Sequence, residues 1–128
     1  MANIDIRNAH GVLGKVWRFE GTRLTWVAGS NHDAQVVTIP NLNGEIKQIM
    51  IKVSNTSTTA NVTVSVRDGN DNEIKSLGTV NKDITAFKLS GADFYSMMAA
   101  SEDIDIVIDP DATPSATDLT VDIHVWGI

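Results

Sequence analysis

The sequence predicts an all-β fold: an antiparallel β-sandwich, jelly-roll or immunoglobulin-like, with about eight strands and one short helix near residues 91-99. Two observations carry that prediction. Short runs alternate apolar and polar residues with a period of two, the mark of a strand with one buried face, and clusters of Gly, Pro, Asn, Asp and Ser interrupt them at intervals of roughly 8–12 residues. A third observation removes alternatives, because no segment repeats at the fixed period that a solenoid or propeller requires.

The clearest stretch is GEIKQIMIKVSNTSTTANVTVSVR, Gly44 to Arg67. Ile49, Ile51 and Val53 fall on one face of its first arm, and Val62, Val64 and Val66 on one face of its second, while Asn61, Thr63, Ser65 and Arg67 point the other way. Between Ser54 and Ala60 the residues are hydroxyl and amide types that favour turns. The spacing therefore predicts an antiparallel hairpin.

Upstream, Ile4 and Ile6 alternate with polar neighbours, enough for a short edge strand. The stretch KVWRFEGTRLTWVAG from Lys15 reads as a second hairpin: Trp17 and Phe19 share one face, Leu24 and Trp26 another, and Glu20-Gly21 supplies the turn. The two tryptophans would meet across it as core partners. Ala34 to Ile39 is a further strand that ends at Pro40, which cannot donate to a ladder.

Downstream, Asp68 to Asn72 is a turn and Glu73 to Leu77 a strand, punctuated by Gly78. Thr79 to Leu89 is another, with Val80, Ile84, Phe87 and Leu89 as its apolar residues and a bend near Asp83. Ser90 as N-cap and Asp93 as an acidic variant of the capping box predict the helix, which would run to about Ala100. Ile104, Ile106 and Ile108 alternate with Asp103, Asp105 and Val107, and the polar run Asp109 to Asp118 is a loop. In the last strand Leu119, Val121, Ile123 and Val125 point inward, and Thr120, Asp122, His124 and Trp126 outward.

A chain of 128 residues fits one domain, 1-128, and can bury about two thirds of its unfolded surface. It has no cysteine, so disulfides, thiolate ligands and a cysteine nucleophile are excluded. No apolar run near the N-terminus suits a signal peptide, and none approaches the roughly 18 residues of a membrane span. The expectation is a soluble chain, made in the cytoplasm, with no membrane partner. A net charge of −6 argues against nucleic-acid binding, which draws on clustered Lys and Arg. The charge is polarised: Met1 to Arg67 carries seven Lys and Arg against four Asp and Glu, whereas Asp68 to Ile128 carries three against twelve. Such a dipole can steer docking.

Catalysis finds no foothold. His10, His32 and His124 form no H-x-H or H-x-x-x-H pair, and no G-x-S-x-G run is present. Asp68-Gly69-Asn70-Asp71-Asn72-Glu73 offers oxygen ligands, yet the EF-hand pattern fails: the sixth position is Glu73 and the twelfth Thr79. A sandwich calcium site of Asp68, Asn70 and Asp71 with Asp109 or Asp111 stands against a plain Asx-type turn, and the turn needs fewer assumptions. No metal or cofactor is expected.

From Gly44 onward, GEIKQIMIKVS, a Val/Thr alternation, VRDGNDNEIKSL, the acidic SEDIDIVID, a Pro/Thr/Ser loop and the closing LTVDIHVWG resemble small virion structural proteins of tailed bacteriophages. That resemblance covers about two thirds of the chain and rests on pattern. It implies a capsid decoration or head accessory protein of the virion, made in the host cytoplasm, that binds the major capsid protein and copies of itself, as a trimer for instance, without catalysis. The N-terminal third, with its two tryptophans and basic residues, departs from the pattern. On this reading Arg7, Lys15, Arg18 and Arg23 face the particle, and Trp126, outward on a terminal strand, meets the helix or a neighbouring subunit. The runner-up is a carbohydrate-binding module of a larger adhesion or fibre assembly, with a glycan stacked on Trp126 and Tyr95.

Overall fold

A computed structural model describes residues 3–5, 16–54, 60–89 and 97–128. Among them are nine strands: β1 (Asn3–Asp5), β2 (Trp17–Glu20), β3 (Leu24–Trp26), β4 (Gln35–Val53), β5 (Val62–Asp68), β6 (Glu73–Val80), β7 (Thr85–Leu89), β8 (Met97–Pro110) and β9 (Leu119–Gly127). They hydrogen-bond in the order β1-β2-β9-β4-β8-β5-β6, with β3 also on β9 and β7 also on β4. Every pairing is antiparallel.

The long strand β4 ties the molecule together by serving two sheets. Its first part, Gln35 to Ile39, pairs with Ile108 to Ile104 of β8. Its last part, Ile46 to Val53, pairs with Gly127 to Val121 of β9, and Gln48 to Lys52 also pair with β7. Between the two parts the register slips twice, around Leu42, and Asn41 and Gly44 take positive φ angles of 51° and 145°. Bulges of this kind bend a strand and raise its twist. The sequence places Pro40 there, where its missing N–H costs no ladder bond. The strand expected to stop at Pro40 thus continues through a corner.

The hydrogen-bonded ladder is one continuous nine-stranded sheet. The corner in β4 divides it into two parts, a first sheet of β1, β2, β3, β9, the end of β4 and β7, and a second of the start of β4, β8, β5 and β6, whose buried residues share one core. Val121, Ile123 and Val125 of β9, Ile49, Ile51 and Val53 of β4, Ile104, Ile106 and Ile108 of β8, and Val62, Val64 and Val66 of β5 belong to one buried cluster. Each of these strands buries the face that its period-two pattern assigned to the core. Strand β1 is short and on the edge, as expected, and a turn with positive φ at Asp83 separates β6 from β7 where the bend was placed.

Three sequence expectations need correction. Strands β4 and β5 do not pair with each other: β8 lies between them, paired with both. The arms were right, but apolar alternation says nothing about which strand is the neighbour. Likewise β2 and β3 are not a hairpin. Both lie along β9, Trp17 opposite Gly127 and Trp26 opposite Leu119, with the Gly21 N–H bonded to the Ile123 carbonyl at 2.9 Å between them. They are two halves of one interrupted strand, and about 26 Å of β9 separates the positions of the tryptophans. Both are buried all the same. Third, Met97 to Ala99, which were assigned to the helix, are the start of β8 and pair with Ile46 to Gly44. Met and Ala are good helix formers, but intrinsic propensity is small per residue, and ladder bonds to the β4 corner outweigh it. Residues 91–96 of that helix lie outside the described residues.

Candidate functional site

Directly opposite residues of an antiparallel pair share a face, so the registers define what the outside of each sheet presents. On the first sheet, Arg18 stands opposite Trp126, and Trp126 opposite Gln48. The next row is Glu20, His124, Met50 and Phe87, and the next Asp122, Lys52 and Thr85. The centre of this outer face is apolar and aromatic. Trp126 and Met50 are half-buried, and Phe87 is 51% exposed. The His124 and Trp126 rings lie 6.0 Å apart, tilted by 52°.

Charged groups rim that centre, largely paired. Arg23 donates from Nε and Nη2 to the two carboxylate oxygens of Asp122, both at 2.8 Å. Arg18 reaches Glu20 at 3.9 Å, and His124 Nε2 stands 3.6 Å from the same carboxylate. The Arg23 hydrogen bonds hold the Asp122 carboxyl below the usual carboxylate range, against the opposing effect of burial, and Asp122 in turn raises the Arg23 guanidinium. An Asp lowered in the folded state adds stability above its unfolded value near pH 3.9, and that stability is lost as pH falls through the lower folded value. Asp122→Asn should therefore lose stability at neutral pH and show a shallower decline under acid. Urea midpoints measured from pH 7 to 2 check this; parallel curves for the two proteins would contradict it.

Of the residues expected at an interface, Arg18, Arg23 and Trp126 come together on this one face. Arg7 and Lys15 lie outside the described residues, as does Tyr95. Arg23 is engaged internally, so it offers a partner less than its charge suggests. The sequence offers no sign that Phe87 and Met50 belong to this face together: Phe87 is one apolar residue of an irregularly spaced strand, Met50 simply alternates with Ile49 and Ile51, and only the β4–β7 register sets the two side by side.

The acidic turn is built as a turn. Asp68 Oδ1 accepts the backbone N–H groups of Asn70 and Asn72, each at 2.9 Å, and Oδ2 accepts the Asn72 side-chain amide at 3.2 Å. The Asn72 bonds, backbone first, and that of Asn70 hold the Asp68 carboxyl below its ordinary range. Asp111 lies at the far end of β5, where it accepts the Asn61 N–H at 2.9 Å, and Asp109 pairs there with Thr63. The geometry does not bring Asp68 together with either. Among the described residues no three His, Asp or Glu side chains converge in a way that could hold a metal ion.

No protein-family model matches the chain, and no characterised protein matches its sequence. Solved structures do resemble it. A chain of the acid-stable capsid of Helicobacter pylori bacteriophage KHP30 is 13% identical with a TM-score of 0.49, over 88% of this chain and 93% of that one. Carbohydrate-binding module CBM36, in complex with calcium and xylotriose, is 12% identical with a TM-score of 0.41, over 98% and 88%. The family 11 carbohydrate-binding module of a Clostridium thermocellum cellulosomal cellulase is 11% identical with a TM-score of 0.40, over 99% and 83%. At these scores none of them assigns a family, a ligand or a partner to this chain.

Proposed function

We propose that this chain is a non-enzymatic virion structural protein, a capsid decoration or head accessory protein that binds the major capsid protein and copies of itself, and that it docks through the outer face carrying Trp126. The virion assignment rests on the sequence pattern from Gly44 onward. The docking assignment rests on one observation: Trp126, Met50 and Phe87 lie in adjacent rows of a sheet face, flanked on the β2 and β3 side by paired charges. An apolar centre with a charged rim is the anatomy of protein interfaces, in which tryptophan and arginine dominate the energy.

Co-sedimentation with purified capsids tests the proposal. Wild-type protein binds saturably, and Trp126→Ala weakens binding about 30-fold, the loss of a hot spot of roughly 2 kcal/mol. Binding that survives both Trp126→Ala and Arg18→Glu would remove this face as the docking site. A second reading draws on the same residues: Arg18 and Gln48 stand opposite Trp126 on its two sides and put polar groups in its row, as a sugar site requires. Trp126-dependent binding on a glycan array, with none to capsids, would replace the virion reading by that of a carbohydrate-binding module.

A further inference from the structure

The outer face of the second sheet is the chemical counterpart of the first. Along β8, Asp103, Asp105, Val107 and Asp109 point outward between buried isoleucines. Val107 pairs with Val36 of β4, which is 48% exposed, so a small apolar spot lies between Asp105 and Asp109. Asp103 accepts the Asn41 N–H at 2.9 Å and Asp105 accepts the Thr38 hydroxyl at 2.7 Å, both neutral donors. Among the described residues none of the three aspartates is in an ion pair, and Arg67, opposite Asp105, turns to Asp71 at 3.5 Å instead. With Glu73 opposite Arg67, this face carries four acidic groups against one basic. The Trp126 face carries three basic groups, Arg18, Arg23 and Lys52, against Glu20 and Asp122; Arg23 is held by Asp122 and Arg18 only loosely by Glu20 at 3.9 Å, which leaves the excess positive charge on Arg18 and Lys52.

We infer that the Trp126 face docks on the β8 face of a second copy of this chain. Trp126, Met50 and Phe87 cover the Val36–Val107 spot, and Arg18 and Lys52 meet Asp105 and Asp109. Opposed potentials steer such a contact and fix its register, while like faces repel. Because the two surfaces differ, the contact is heterologous: every copy keeps one free face of each kind, and copies add until a ring closes or a file forms. This inference rests on the reading of the Trp126 face as a docking surface and names which of the two proposed protein partners occupies it.

The test is self-association of the full chain without capsids, followed by light scattering on a sizing column at low and high salt. Wild-type protein forms oligomers that salt weakens, since exposed charges are screened within about 10 Å at 0.1 M. Arg18→Glu with Lys52→Glu gives one variant acidic on both faces, and Asp105→Lys with Asp109→Lys gives another that is basic on both. Each alone is monomeric, and an equimolar mixture assembles again. Recovery in the mixture excludes misfolding as the cause of either loss. A monomeric wild-type protein, a mixture that stays monomeric, or association abolished by the first variant but untouched by the second would overturn the inference. A monomeric wild-type protein whose capsid binding still depends on Trp126 would overturn the inference alone and leave the docking face standing. Salt-sensitive oligomers that bind no capsid would keep the inference and remove the virion reading.

Discussion

Trp26→Ala should lower the unfolding free energy by about 4 kcal/mol, the size expected for deleting a fully buried indole. Trp26 is 2% exposed, on the inner face of β3 opposite Leu119, and its Nε1 donates to the Asp33 carbonyl at 2.7 Å. The side chain therefore fills the core and pins the loop that leads into β4. Trp26→Phe keeps most of the apolar volume and loses the hydrogen bond; since Asp33 is exposed and water can replace the donor, it should cost about 1 kcal/mol. Urea unfolding with an unchanged m-value separates the two. Because small domains hold only some 5–15 kcal/mol in total, the alanine variant lies near the edge of folding. A loss below about 1 kcal/mol for Trp26→Ala would contradict the packing described.

Gly127→Ala should be nearly as damaging, at about 3 kcal/mol, by overpacking. A methyl group there would land within the ring of Trp17 and against the Glu45 carbonyl, which itself accepts the Ile128 N–H at 2.9 Å. Glu45 N–H returns a bond of 2.8 Å to the Ile128 carbonyl, so the end of β9 is clamped to the β4 corner and has no room to move aside. Gly29→Ala is the control. Nothing lies within 4 Å of its added carbon, and only its φ of 76° penalises a side chain, by about 1 kcal/mol. Equal thermal or urea midpoints for the two variants would show that the corner yields to an added methyl group.

The sequence disclosed which residues are inside far better than which strands are neighbours. Ile104, Ile106 and Ile108, or Leu119 to Val125, declare their buried face through alternation alone, because burial of one face is a local property of the strand. Pairing is not local. Glu20-Gly21 reads as a hairpin turn, yet the chain runs straight on along β9, since a long apolar strand from the far end of the sequence offers a better ladder than a two-residue turn. The same long-range pairing turned Met97 to Ala99 into strand. For the site, Trp126 and Arg18 were legible as outward residues, but their adjacency follows from the β2–β9 register. The charge imbalance between the halves of the chain maps onto the two faces only in part: Arg18 and Lys52 stand on one and Asp103, Asp105 and Asp109 on the other, but Asp122 of the acidic half joins the first face because β9 lies beside β4, and Arg67 of the basic half joins the second because β5 lies beside β8.

The docking claim is tested most directly by acrylamide quenching of tryptophan fluorescence in dilute protein with and without capsids. Trp17 and Trp26 are buried, so the quenchable emission belongs to Trp126. Bound protein should lose that quenchable component, and its emission should shift to the blue as the face leaves water. Saturable binding that leaves Trp126 as quenchable as in free protein would contradict it.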